Sequence, residues 1–190
     1  ERPADFLIER VGGAVTKPAT RSDQIALRID LLRSWLAKGG ALWEKLSRAM
    51  LSMPPNSVVT FAPAPGAAHS GLAGQIYCQG NFCCAPDEAV IFEFAPPPCR
   101  HWSISLANRY WEAIDFATRQ SSLNGFQAQL DAAGTFRAVI AHEDPGVPNW
   151  LDTGGHESGT LFGRFILAQG ELVQPTSRKL KLSSLREFLE

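Results

Sequence analysis

The sequence predicts a mainly β domain, a jelly roll or β-sandwich with a helical hairpin at its N-terminal end. Three observations carry that prediction. Apolar residues recur at helical spacing between residues 20 and 52. Beyond Pro54-Pro55 the chain changes to short runs rich in β-branched and aromatic residues, punctuated by proline, glycine and asparagine. No long helical period separates those runs, so the strands are expected to pair as a sandwich or barrel rather than as a parallel sheet with crossover helices.

Taken in order, residues 1–19 hold Gly12-Gly13 and Pro18 and read as an extended lead-in. Thr20, with Asp23 in the first turn, marks a helix start. Ile25, Ile29, Leu32 and Leu36 form the apolar stripe of that helix, and Gly39-Gly40 is expected to end it, because glycine takes the left-handed end conformation cheaply. Leu42, Trp43, Leu46, Ala49 and Met50 mark a second helix closed by Pro54-Pro55, which completes the hairpin. Strands are expected at residues 58–61, 76–78, 89–94, 102–106, 110–116, 136–140 and 161–167, with 63–74 as a surface loop. The alternation in Trp102-Ser103-Ile104-Ser105-Leu106 is that of a strand with one face in the core. Asp131 to Gly134 reads as a hairpin turn, and Ser183 or Ser184 as the cap of a last helical turn. Residues 1–56 are then an extended segment plus hairpin, and 57–190 the sandwich, the two forming one unit.

A chain of 190 residues with 45% apolar content can bury one good-sized core. Its net charge of −1 supplies no basic stripe for phosphate backbones, so nucleic acid is not an expected partner. Its longest apolar runs, such as Ala89-Val90-Ile91-Phe92, are too short to cross a bilayer, so no membrane partner is expected either. Glu1 in place of methionine reads as the later part of a longer or processed protein. Cys78, Cys83, Cys84 and Cys99 lack Cys-x-x-Cys spacing and are expected as free thiols in a cytoplasmic protein. His69, His101 and His142 have no histidine at ligand spacing, so neither a metal nor another cofactor is expected.

Polar groups gather beside aromatics between Arg100 and Arg164. The order of parts there is a Trp-Ser strand (Trp102-Ser103), a polar segment from Arg119 to Asn124, the Asp131 to Gly134 hairpin, Asn149-Trp150-Leu151, and a last strand bearing Arg164. In that order the second half of the chain resembles the family of domains of unknown function 1214. The resemblance implies a jelly-roll-like fold, often the C-terminal part of a longer bacterial protein, and no settled activity. Asp152 stands where the family commonly has proline, and the strand after Arg164 lacks the usual tyrosine-proline ending.

The candidate ligand-binding residues are Asn108, Trp111, Asn149, Trp150 and Arg164. Trp150 beside Pro148 lies on a constrained turn and can stack on a planar ligand, or plug the end of the sandwich while Asn149 ties the loop backbone. Arg164, between Phe162 and Ile166 on its strand face, needs either a buried carboxylate such as Asp115 or Glu112 or an anionic ligand. Asp152 and His156 are the candidate catalytic pair, the carboxylate orienting the imidazole. Ser121, Ser122 and Ser158 are the nearby hydroxyls, but no Gly-x-Ser-x-Gly elbow presents any of them. Three functions fit: a small-molecule-binding β domain with its site in the sandwich mouth, a hydrolase or lyase using His156 and Asp152, and a non-catalytic structural module that forms a homo-oligomer through its helical hairpin (residues 20–52) and its sheet. A pocket gathering the candidates favours the first two, and an exposed apolar stripe on the helices favours the third.

Overall fold

Apolar residues spaced four and three apart run from Ile25, Ile29, Leu32 and Leu36 through Gly39 to Trp43, Leu46 and Met50, and one helix follows that register without a break. This is α1 (Ser22–Leu51), 30 residues long, and it corrects the expected hairpin. Gly39-Gly40 does not end the helix. Glycine inside a helix costs about 1 kcal/mol against alanine, too little to break a pattern that continues in phase on both sides. The computed structural model describes residues 7, 12, 21–62, 74–170 and 174–189. The lead-in over 1–19, apart from residues 7 and 12, and the loop over 63–73 lie outside the described residues.

The chain divides into two units, Glu1–Gly40 and Ala41–Glu190, so the boundary falls inside α1. Among the described residues of the second unit, nine strands form two sheets. They are β1 (Val58–Phe61), β2 (Gln75–Cys83), β3 (Glu88–Phe94), β4 (His101–Ala107), β5 (Ser122–Asn124), β6 (Phe136–Ala141), β7 (Trp150–Asp152), β8 (Ser158–Ile166) and β9 (Thr176–Lys181). The first sheet has the order β1-β2-β8-β4-β5, all antiparallel, and the second β7-β6-β3-β9, with β6 and β7 parallel. The mainly β, two-sheet prediction therefore holds.

Alternation places Cys78 and Phe82 of β2, Ile104 and Leu106 of β4, and Leu161 and Phe165 of β8 in the core, against Phe92, Phe94, Phe136 and Ile140 of the second sheet. Phe94 sits at the centre, with Trp102, Phe136 and Phe165 rings 5.3, 5.1 and 5.3 Å from it. Gly163 also faces inward. A Cβ there would lie 2.4 Å from Cδ1 of Ile104, so β8 and β4 pack at this distance only with glycine. The far face of the second sheet carries Ala89, Ile91, Val139 and Ala141, covered by the C-terminal helix α2 (Leu185–Leu189) through Leu185 and Phe188.

Residues 110–116, expected as a strand, are irregular, with turns, a bend and a single bridge from Ala113 to Ala107. The cause is local. The Oδ1 of Asn108 accepts the N–H groups of Tyr110 and Glu112 at 2.9 and 3.1 Å, and Trp111 takes a left-handed φ of 67°. β5, β7 and β9 were not expected as strands: two are three residues long, and β9 reads Thr-Ser-Arg-Lys-Leu-Lys, nearly all exposed.

Candidate functional site

Three places carry candidate residues. The first is the outer face of the first sheet. Register puts Phe61 beside Tyr77, Tyr77 beside Arg164, and Arg164 beside Ser103. The Arg164 guanidinium lies 5.6 Å from the Tyr77 ring and 5.0 Å from the Phe162 ring. Arg164 is exposed, and among the described residues no carboxylate pairs with it. This corrects the expected buried pair with Asp115 or Glu112. β8 is central in its sheet, but its outer face is open to water here, so the charge keeps its hydration.

Trp111 meets the same Phe162 ring edge-on at 5.6 Å, and Trp43 of α1 packs on Trp111 at 5.1 Å. The two candidates Trp111 and Arg164 thus share one aromatic neighbour. The Trp111 indole N–H is buried without a conventional acceptor among the described residues. Ser47 Oγ donates to the Arg109 carbonyl, and Asn81 Nδ2 donates to the Met50 carbonyl at 2.9 Å. Together these contacts pin the segment from Ala41 onward to the sheet. Trp111 is therefore a clamp on the helix. Asn108 braces the clamp's turn and also donates to Glu112 at 2.7 Å.

The second place is the loop system at β7. Asn149 (φ 58°) accepts the Gln129 N–H at 2.8 Å and donates to the carbonyls of Gln129 and Arg137 at 2.7 and 3.0 Å. The Trp150 indole donates to the Ala141 carbonyl at 3.1 Å, and its ring packs beside Ala89, Ile91 and Val139. Both serve the scaffold. Asp152 is 5% exposed and accepts from Arg119 at 2.9 Å and from the Gly154 N–H at 2.7 Å. His156 is exposed, and its backbone N–H bonds to the Thr153 carbonyl. Asp152 is therefore committed to Arg119 and not to His156, and the nearby serine hydroxyls are not set against His156 among the described residues. Ser121 Oγ, for instance, donates to the Ile114 carbonyl. The candidates thus fall into two groups on different sheets. A cleft of about 210 Å³ takes in Asn149 alone of them, with Gln129, Asp131 and Arg137. Among the described residues no group of three or more His, Cys, Asp or Glu is placed to hold a metal ion.

The thiols are unpaired. Burial pushes Cys78 up to about 12, and burial with the neighbouring Glu88 carboxylate pushes Cys84 up to about 11, so both are neutral thiols rather than nucleophiles.

The third place is the apolar stripe of α1, whose exposure the sequence left open. In residues 22–40, Ile25, Ile29, Leu32 and Leu36 are 47 to 56% exposed, and a second stripe, Leu27, Leu31 and Trp35, is 59 to 64% exposed. At about 100° per residue the two stripes span roughly half of the helix circumference. The 3.6-residue period showed the stripe, but period alone does not say what covers it. No helix of the described residues is long and apolar enough to cross a membrane.

These features define a two-sheet β domain with a long, largely uncovered helix. The chain superposes over 93% of its length on an uncharacterized protein from Burkholderia cenocepacia, with a TM-score of 0.75 at 26% identity, and accounts for 49% of that protein. The VPA0106 protein of Vibrio parahaemolyticus gives a TM-score of 0.40 at 14% identity over 85% of this chain and 47% of its own. The chain spans about half the length of each. No family model and no curated protein matches the sequence.

Proposed function

We propose that this chain is a non-catalytic assembly module that docks through α1. One observation carries the reading: seven large apolar side chains within residues 22–40 lie about half or more exposed on a single helix. The scattered, internally bonded state of the catalytic candidates supports it too. The reading takes up the helical half of the homo-oligomer expectation as a proposal. Its test uses dye binding and mass. The wild-type protein is expected either to associate in solution or to bind an apolar dye such as anilinonaphthalene sulfonate. Ile29→Glu combined with Leu32→Glu should abolish both without shifting the unfolding of the sandwich. A wild-type chain that is monomeric and binds no dye contradicts the reading.

A second reading rests on Arg164. A guanidinium over Tyr77 and Phe162 with no acid partner among the described residues is suited to a small ligand with a carboxylate and a planar body. This moves the small-molecule site from the sandwich mouth to the outer face of the first sheet, with Trp111 at its border. Titration with benzoate tests it: binding should be lost in Arg164→Met, and no binding to the wild type argues against it. The order of motifs from Trp102 to Arg164 supports kinship with the domain of unknown function 1214 family, and β2 lying beside β8 supports a jelly-roll course for the first sheet. The four unpaired thiols favour a reducing, cytoplasmic setting.

A further inference from the structure

We infer that the occupant of the α1 face is a second copy of this chain, paired antiparallel along residues 22–39. The inference rests on the reading of α1 as the docking element. The seam residues carry it. Ile25, Ile29, Leu32 and Leu36 alternate at four and three residues, the repeat by which one helix packs along another. A two-fold axis between residues 30 and 31 sets Ile25 level with Leu36, and Ile29 level with Leu32, in both directions. The seam is therefore complementary to itself, as an isologous interface requires.

Charge selects the same orientation. Asp30 and Arg33 share a flank of the helix, 4.0 Å apart and about three-quarters or more exposed. The antiparallel axis brings Asp30 of each copy beside Arg33 of the other, and on the opposite flank Arg28 beside Trp35. A parallel pair in register would instead set Arg28 of each copy against Arg33 of the other, like charge against like. The extent fits as well. An overlap about this axis begins at Ser22 and ends at Gly39, beside the unit boundary at Gly40, where a Cβ would meet nothing within 4 Å. Leu27 and Leu31 lie behind the seam, and a pair of such pairs covers them.

Sedimentation equilibrium of the full chain is expected to give two or four times the chain mass, falling to one in Ile29→Glu/Leu32→Glu. Orientation is read by disulfide trapping in a Cys83→Ser background, since Cys83 is the exposed native thiol. Ile25→Cys protein mixed with Leu36→Cys protein should give the mixed disulfide. Recovery of only the two like-with-like disulfides overturns the antiparallel pairing. A monomeric wild type that binds apolar dye through α1 overturns the second copy and leaves the docking reading standing. A monomer that binds no dye removes both.

Discussion

Asn149 and Asp152 spend their hydrogen-bonding capacity on their own neighbourhood, which is why residues with the right chemistry for a site do not make one. Asn149 closes a left-handed turn and ties two segments at three atoms. Asp152→Ala removes a buried carboxylate that holds Arg119 and the Gly154 N–H, so it should cost about 1–3 kcal/mol in urea unfolding. His156→Ala, at an exposed position, should cost less than about 0.5 kcal/mol. The reverse ranking would revive a structural or catalytic role for the imidazole. Arg164→Met removes two ring contacts and strands no acid, so its cost should stay below about 1 kcal/mol; a loss of 3–5 kcal/mol, the order expected for a broken buried pair, would contradict the exposed placement. The sequence made the residue types at these sites legible. It did not show that Arg119 would reach Asp152, because that contact depends on how two distant loops meet.

Strands with strict alternation, such as β4, were readable because one face must be buried and a one-residue slip would expose every core side chain. Short edge strands were not readable, since three residues carry no period. The expected hairpin fails for the opposite reason: the glycine signal at Gly39-Gly40 is local, and the apolar register persists through it. Asn81 is the element-scale residue that sequence reading passed over. Its side chain accepts the Asn56 N–H at 2.7 Å and donates to the Met50 carbonyl, holding the end of α1 to β2. Asn81→Ala leaves those buried groups unpaired and should cost about 2–4 kcal/mol, measured by urea unfolding. A change under about 0.5 kcal/mol would show that this anchor does not matter. Trp111 is a related case, since its left-handed backbone and aromatic contacts define a clamp that only the fold reveals.

At the scale of the molecule, the aromatic core around Phe94 and the two-sheet order account for a stable domain, and pH tests how dry that core is. Cys78 titrates at about 12 when folded against 9.0 when free, so its proton is held more tightly in the native state. The sign follows: stability from this group is intact below pH 9 and is lost as pH rises toward 12, by up to about 1.4 kcal/mol per pH unit. Cys78→Ala should flatten that alkaline decline, and an unchanged decline would place its source elsewhere. The central claim, that residues 22–40 of α1 form a docking face covered by another helix, is tested most directly by hydrogen exchange. Most of a helix's stability in a protein comes from packing of its apolar face rather than from intrinsic propensity. In the wild-type protein the amides of 22–40 should be protected, and Ile29→Glu/Leu32→Glu should release them while β2 and β8 stay protected. Equally fast exchange of 22–40 in both proteins would contradict the account.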